Sequence, residues 1–314
     1  MAKAKEIIGL DCAASALEWA AEVLRARFDE VVNLRGAALD FSDIEGVHSM
    51  RVATRRLRSA LRDFMPLMDK RPPKQVRKEL KQLADALGAV RDQDVAIVAL
   101  EALRVEAETE LIKAGLENLL KERGDLREVA RLDLTKALAV RNLDDLHERF
   151  TAAIGKMARR KKSKQMVSFN EAGRAVVASS LQDLLDLGAS LYEPFNIEEL
   201  HEMRIAAKRL RYAIELFVAC WGARAAPFAD EIAEMQSFLG EVHDCDIWIE
   251  SLGKRLERGQ ENLMTDKSDY QTVIWLLSEF VKKRTKEYRF ALKLWSEWEA
   301  NNFAEKMRTM IQTA

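Results

Sequence analysis

The sequence predicts an all-α protein built from two tandem helical bundles. Glycine (13) and proline (5) are scarce among 314 residues, whereas 48% are hydrophobic and 32% are charged, a composition that suits long helices. Apolar residues recur with a period near 3.6 through most of the chain, and no segment shows the alternation of a half-buried strand. Two motifs return after about 150 residues, which indicates a duplicated unit.

The duplication rests on two separate segments. The pattern H-x-x-R-x-x-x-[RK]-R-x-R begins at His48 and again at His201, 153 residues later. Downstream, LADALGAVRDQDVAIVAL at 83–100 matches MQSFLGEVHDCDIWIESL at 235–252, an offset of 152. Because the offset is nearly constant, chance is a poor explanation, and we divide the chain into a first repeat at 1–160 and a second at 161–314.

Each repeat is expected to contain five helical segments joined by short turns, a pattern typical of helical bundles. The apolar periodicity covers 11–35, 46–65, 74–89, 93–121 and 127–160 in the first repeat, and 168–191, 198–220, 226–239, 245–258 and 268–300 in the second. Pro66 is expected to end the second helix and Gly88 to end the third. Asp92 or Asp94 is the expected N-cap of the fourth.

Composition also limits the class of protein. The 50 Lys and Arg residues are balanced by 51 Asp and Glu residues, so any anion site must be a local concentration of charge rather than a generally basic surface. The three cysteines have no paired spacing, which indicates a reducing compartment. The early apolar run IIGL is too short for a signal peptide, and no window approaches the ~18 apolar residues of a membrane span. We therefore expect a soluble cytoplasmic protein.

The helix at 46–65 carries a basic stripe opposite its apolar face. At about 100° per residue, the stripe residues fall within roughly 80° of arc. This first stripe consists of His48, Arg51, Arg55, Arg58 and Arg62. The opposite, packing face consists of Met50, Ala53, Leu57, Leu61 and Phe64. Arg56 lies off to one side of the stripe.

The second repeat has the same arrangement with one charge fewer. Its stripe consists of His201, Arg204, Lys208 and Arg211, and Glu215 stands where the first repeat has Arg62. Its packing face consists of Met203, Ala206, Leu210, Ile214 and Phe217. Arg209 and Tyr212 flank this second stripe.

Both stripes favour anion binding. Cations at i, i+3, i+4 and i+7 repel one another, and few acids in the same helix relieve them. Arginine outnumbers lysine, and its planar fork matches phosphate oxygens. The alternative is a solvated face neutralised by acids on neighbouring helices, since surface ion pairs are common and weak. Retention of the stripe in both repeats argues against that alternative.

The composition of the stripes favours phosphate over nucleic acid. Single-stranded nucleic-acid sites interleave aromatic residues that stack on bases, and only Tyr212 lies beside a stripe. The next helix of the first repeat adds a second basic ridge, formed by Lys74, Arg77, Lys78 and Lys81. The corresponding positions of the second repeat are not basic. The run MARRKKSK at 157–164 is either a solvated linker or a further contribution to anion binding. Two long ridges suit a long, regularly charged polymer.

Both halves resemble the CHAD family, the conserved histidine α-helical domain, over nearly the full chain. The resemblance rests on the histidine–arginine motif in each half and on VRDQDV and VHDCDI after each glycine. It implies two four-helix bundles related by pseudo-twofold symmetry, with a basic groove or pore between them that binds inorganic polyphosphate. It also implies a polyphosphate-targeting module, for which polyphosphate granules or polyphosphate-metabolising enzymes are the candidate partners.

The sequence predicts no metal site, cofactor or catalytic residue. The stripe histidines have Val52 and Ile205 four residues on, so neither forms a helical two-ligand metal clip. The segment HDCD at 243–246 has the composition of a ligand cluster, but its counterpart at 91–94 is RDQD. Its aspartates are expected to cap helices or to orient arginines. The stripe histidines are either bonded to a neighbour or contact phosphate, more strongly when protonated.

Three functions follow in order. The main prediction is a binding module for polyphosphate. A phosphohydrolase or phosphotransferase acting on polyphosphate is the first alternative, although the sequence has no glycine-rich phosphate loop, nucleophile elbow or acidic magnesium cluster. A helical scaffold that recruits protein or nucleic acid is the second alternative.

Overall fold

The computed structural model describes residues 9–68, 73–158, 167–261 and 267–313, and within these ranges its regular structure is helical. Ser15 and Ser168 form an isolated bridge, not a strand. The helices are α1 Ala16–Asn33, α2 Arg35–Leu39, α3 Ile44–Phe64, α4 Lys74–Glu106, α5 Glu110–Ala137, α6 Val140–Ala158, α7 Phe169–Asp186, α8 Ile197–Trp221, α9 Ala226–Glu261, α10 Lys267–Ala300 and α11 Phe303–Gln312. The all-α prediction is confirmed. The basic residues at 159–164 lie outside the described residues.

Two predicted turns are wrong because a helix runs through each of them. α4 continues past Gly88, and α9 continues past Gly240. Glycine inside a helix costs only about 1 kcal/mol relative to alanine, and the apolar face of α4 is uninterrupted across it. Its buried residues include Leu80, Leu83, Leu87 and Val90, at spacings of three and four. Burial of that face outweighs the local glycine signal.

The turns flanking α5 were also misplaced. The predicted break between 121 and 127 lies inside α5, and the chain turns instead at 107–109 and at 138–139. Thr109 marks the first turn, where its Oγ1 accepts a hydrogen bond of 3.3 Å from the Ile112 amide. Pro66 follows the last residue of α3, as predicted, within a 3₁₀ turn at Met65–Leu67. The short helix α11 was not predicted.

The chain forms two compact units, and each has its own core. One comprises Met1–Glu101 and Leu120–Gly173, and the other comprises Ala102–Leu119 and Arg174–Ala314. In the first, α1 packs on α3 and α6, with the Phe28 and Phe150 rings edge to face at 4.9 Å. In the second, α9 packs on both α8 and α10, with Trp248 stacked on Phe280 at 4.9 Å.

The repeat boundary between residues 160 and 161 refers to the duplicated sequence and stays a prediction, as do the pseudo-twofold arrangement and the basic groove. Within the described ranges, no helix combines the length and apolar character that crossing a membrane requires.

Candidate anion-binding site

Local structure fixes the start of α3, the helix of the first stripe. The Asp43 carboxylate accepts a hydrogen bond of 2.9 Å from the Glu45 amide and so caps the helix. At Gly46 the first turn passes α2 so closely that an added Cβ would lie 1.9 Å from the carbonyl oxygen of Ala37. Only glycine permits this approach, and it positions the histidine two residues later. The sequence signal for this cap is an aspartate just before the apolar period, which was not predicted as a cap.

Burial confirms which face of α3 packs. Met50, Leu57 and Phe64 are 0% exposed, and Ala53 is 1% exposed. On the opposite face Arg58 is exposed, while the other stripe residues are half-buried. The stripe therefore lies at the surface, with partly covered stems and charged ends.

The ridge on α4 lies beside the stripe. Arg51 Nη2 is 3.4 Å from Asp92 Oδ1, so the start of α3 meets the middle of α4. The connection from residue 64 to residue 74 can span at most ~35 Å, which is less than the ~46 Å back along α4 that a parallel pairing would require. We therefore infer that the two helices are antiparallel, with the end of α3 towards the start of α4. Every ridge residue is exposed: Lys74, Arg77, Lys78 and Lys81. The exposed Asp85 follows on the same face of α4.

Most of these cations have no counter-ion in the described part of the chain. Arg62 is an exception, because its guanidinium donates to Asp63 at 2.7 Å and to Ser59 at 3.0 Å. Arg51 is the other, through Asp92. Among the described residues no carboxylate lies within ion-pair distance of the remaining members, which are Arg55, Arg58, Lys74, Arg77, Lys78, Lys81 and the neighbouring Arg91. If the stripe were only a solvated face, acids on neighbouring helices should neutralise it. The following helix, α4, supplies one such acid, Asp92.

Arg56 does not belong to this surface. Its side chain is 6% exposed and lies 3.8 Å from Glu30 Oε1 on α1, which also pairs with Arg27 at 3.3 Å. Its angular offset from the stripe turns it towards α1 rather than towards solvent. We leave Arg56 out of the candidate site for this reason.

The second stripe lies on α8. The Asn196 side chain caps this helix by accepting from the Glu199 amide at 3.3 Å. The predicted packing face is buried, with Met203, Ala206, Leu210, Ile214 and Phe217 all at 2% exposure or less. Arg204, Lys208 and Arg211 are half-buried, and Arg209, the counterpart of Arg56, is exposed.

Arg211 and its neighbours differ from their first-repeat counterparts. Arg211 donates to Gln236 Oε1 at 3.1 Å and lies 5.9 Å from the centre of the Tyr212 ring. Glu215 places a carboxylate where α3 has Arg62. The start of α9 carries no basic ridge: its outer positions are Ala226, Ala229, Asp230 and Ala233. The second stripe is therefore shorter and less charged.

The two stripe histidines have different neighbours. His48 Nδ1 is buried without a hydrogen-bond partner, and burial, followed by the charge on Arg91, lowers the pKa of His48. His201 Nδ1 lies 3.0 Å from His243 Nδ1, with ring centres 4.2 Å apart. Burial, then the charge on Arg204, lowers the pKa of His243 to about 4 and also lowers that of His201. Both histidines are thus held in their neutral forms at neutral pH.

The aspartates after each glycine do not cap helices, since α4 and α9 run through them. Asp94 is 2% exposed and its carboxylate has no hydrogen bond, although Arg127 Nη1 lies 3.7 Å away. Burial raises the pKa of Asp94. Asp246 is 9% exposed and accepts a hydrogen bond from Nε of Arg284. Neither Arg127 nor Arg284 belongs to a stripe, so the expected orienting role towards the stripe arginines is seen instead at Asp92, which meets Arg51 at 3.4 Å.

The HDCD segment does not gather metal ligands. Burial raises the pKa of Cys245 to about 12, so its thiol stays protonated. Over the described ranges, no group of three or more His, Cys, Asp or Glu side chains is arranged to hold a metal ion.

Comparisons with known proteins agree with this architecture. The crystal structure of the CHAD domain from the plant Ricinus communis superimposes with a TM-score of 0.73 at 22% identity, covering 93% of this chain and 96% of that one. PptA from Streptomyces chartreusis superimposes with a TM-score of 0.66 at 15% identity, covering 90% of this chain and 100% of that one. No curated protein matches the sequence. The sequence model of the family described as "CHAD domain" matches residues 22–253.

Proposed function

Since the chain belongs to the CHAD domain family, we propose that it is a module that binds inorganic polyphosphate through the stripes on α3 and α8. The proposed contacts in the first repeat are the stripe from His48 to Arg62 and the ridge on α4. In the second repeat they are the stripe from His201 to Arg211, with Arg209 and Tyr212 beside it. Polyphosphate granules and polyphosphate-metabolising enzymes are the partners to which such a module would attach.

One observation carries the proposal, namely the cations of α3 and α4 without counter-ions in the described chain. Like charges held together on two packed helices destabilise the fold slightly unless an anion relieves them. Arginine supplies paired donors for phosphate oxygens in a fixed orientation, and exposed lysines add positive charge that does not require a particular orientation of the phosphate. The stripe on α3 and the ridge on α4 therefore favour binding of an external anion.

The length of the stripe favours a polymer over a small phosphate. Arg51 and Arg62 are eleven residues apart, which at a rise of 1.5 Å per residue is about 16 Å along α3. The ridge on α4 extends the charged surface sideways. A single phosphate ion could meet only two or three of these side chains, whereas a chain of phosphates could follow the whole stripe.

The test is a parallel titration of the protein with long-chain polyphosphate, double-stranded DNA and ATP, with and without Mg²⁺. We expect tight binding to polyphosphate alone, weakened by Mg²⁺ because the ion competes for the same oxygens. Equal affinity for DNA would favour the scaffold alternative. Release of phosphate with time, or binding that requires Mg²⁺, would favour the enzymatic alternative.

Salt dependence tests the arginine contacts themselves. Each cation that neutralises a phosphate releases a condensed counter-ion, so log affinity falls linearly with log salt concentration. If half to all of the seven stripe cations, Arg51, Arg55, Arg58, Arg62, Arg204, Lys208 and Arg211, contact phosphate, the slope is roughly −3 to −6, on the calibration for nucleic acids. A flat response would contradict direct contact.

A further inference from the structure

One position, opposite each stripe histidine on the following helix, differs between the repeats. It is Arg91 on α4 in the first repeat and His243 on α9 in the second, 152 residues apart. The second-repeat contact is direct, with 3.0 Å between the Nδ1 atoms of His201 and His243. In the first repeat, the charge of Arg91 is close enough to His48 to lower its pKa. Neither Arg91 nor His243 lies on a stripe.

The contact between the histidines constrains where their protons lie. A hydrogen bond between two Nδ1 atoms needs one proton, carried by one ring and accepted by the lone pair of the other. In the neutral pair the acceptor ring carries its own proton on Nε2, so the pair holds two protons. A third proton can enter at the free Nε2 of the donor ring without breaking that bond, and the singly charged pair then has an Nε2–H donor on each ring. A fourth proton cannot be added without replacing the bond by repulsion between two cations.

The surroundings keep this pair neutral while no anion is bound. Burial is the largest cause that disfavours the added charge; Arg204 and Lys208 on α8 also disfavour it, and Glu202 favours it at His201. The other helix packed on α9 is α10, where Lys283 pairs with Glu241 at 2.7 Å and Arg284 pairs with Asp246. The 3₁₀ turns packed on α8 add two further polar groups, which are engaged elsewhere: Tyr192 with Glu299, and Arg224 with the Thr313 carbonyl. A polyanion beside Arg204 and Lys208 would cancel their repulsion and add negative charge near the pair, and both effects favour the extra proton against the cost of burial.

This step rests on the polyphosphate binding proposed above. We propose that Arg91 and His243 are further phosphate-binding residues, and that the second repeat takes up one proton when phosphates bind, whereas the first repeat binds with its charge already in place. Arginine at position 91 is charged at every physiological pH. The histidine pair supplies an equivalent charge only together with the ligand. The same polymer is thus bound by one permanent and one proton-dependent subsite.

Calorimetry with long-chain polyphosphate tests this directly. Binding is measured at about pH 6.5, near the ordinary pKa of histidine, in two buffers that differ in ionisation enthalpy, and the difference in heat gives the protons taken up. Internal phosphates of a long chain do not titrate in this range, so uptake reports on the protein. We expect uptake of up to one proton for the natural chain and close to none for His243→Arg, which copies the first repeat. Arg91→Ala is expected to bind roughly fivefold more weakly with uptake unchanged.

Two further variants provide a second test of proton uptake and a control. His201→Gln also removes the histidine pair and should abolish proton uptake. It replaces His243→Arg as the test if that variant does not fold. His147, whose Nε2 lies 2.8 Å from Asp29 on α1, serves as the control, and His147→Gln should leave uptake unchanged. Tight binding by the natural chain without uptake, or uptake that survives both pair variants, would overturn the inference while leaving polyphosphate binding intact. Failure of every variant and the natural chain to bind would instead reject the proposed function.

Discussion

The helices α3 and α8 begin from the same pattern and differ in what surrounds them. The first stripe has Arg55 and Arg58 without carboxylates nearby in the described chain, and the exposed ridge of α4 lies beside it. The second has Arg211 bonded to Gln236, and the start of α9 supplies no basic ridge. The two helices thus present the same pattern of cations on one face, whereas the helix beside each of them carries a different charge.

The buried polar residues of the two repeats also differ in their contacts. Asp94 and Asp246 are equivalent in sequence and both are buried, yet only Asp246 accepts a hydrogen bond, from Arg284. Arg56 is buried against Glu30, whereas its counterpart Arg209 is exposed. Equivalent positions of the two motifs therefore make different polar contacts.

The largest expected effect is a difference in stability between variants of the two buried aspartates, Asp94 and Asp246. Asp246→Asn leaves the half-buried charge of Arg284 without its carboxylate and should cost about 2 kcal/mol. That loss corresponds to a fall in Tm of roughly 4–8 °C for a unit of this size. Asp94→Asn should cost less, because its carboxylate is desolvated without a hydrogen bond. Calorimetric melting of both variants checks the order, and an equal or larger loss from Asp94→Asn would contradict it.

The next effect compares the stripes in ligand binding. Arg51→Ala combined with Arg55→Ala should weaken polyphosphate binding at least tenfold, about 1.4 kcal/mol, with the helical circular dichroism unchanged. Arg204→Ala with Lys208→Ala should weaken it less, because the second stripe lacks the adjoining ridge. The measurement is a binding titration.

A control with the same change in net charge accompanies the stripe variants. Arg25→Ala with Arg141→Ala removes two arginines that belong to neither stripe, and Arg141 is 91% exposed. It should leave affinity within about twofold. If it weakens binding as strongly as the stripe variant, overall charge rather than local contact explains the effect.

A smaller effect concerns acid stability in the second repeat. The pKa of His243 in the folded protein, about 4, lies below its ordinary value of 6.5. The unfolded chain therefore binds more protons between these values, so the contribution of His243 to stability is present above about pH 6.5 and is lost as the pH falls towards 4. His243→Gln should reduce the loss between about pH 7 and pH 5 by ~1 kcal/mol at most, after discounting for solvent exposure.

Urea unfolding of the natural chain and His243→Gln at both pH values provides the measurement. His147→Gln is the control and should follow the natural chain. Parallel losses in all three proteins would show that the histidine pair does not link stability to pH.

The smallest expected difference is between single arginines at equivalent positions. Arg58 is exposed with no ion pair among the described residues, whereas Arg211 already donates to Gln236. Arg58→Ala should weaken polyphosphate binding about threefold more than Arg211→Ala, because a ligand does not have to displace an existing contact of Arg58. The reverse order in calorimetry would contradict the asymmetry between the stripes.

Much of the architecture could be predicted because it depends on neighbours within a turn or two. Helical periodicity identified the packing face of α3 through Met50, Leu57 and Phe64, all of which are fully buried. The same periodicity placed the stripe arginines on the opposite face of α3. The turns were harder to predict, since Gly88 is a local helix breaker whose cost is exceeded by the burial of the continuous apolar face of α4.

The helical class and the faces on which the cations lie could be predicted because each depends on spacing along one helix. Which of these cations have partners depends on the tertiary structure. Glu30 reaches Arg56 from another helix, and His243 meets His201 across 42 residues of chain. Such pairings depend on how helices pack, and spacing within one helix carries no information about the charge on the helix beside it.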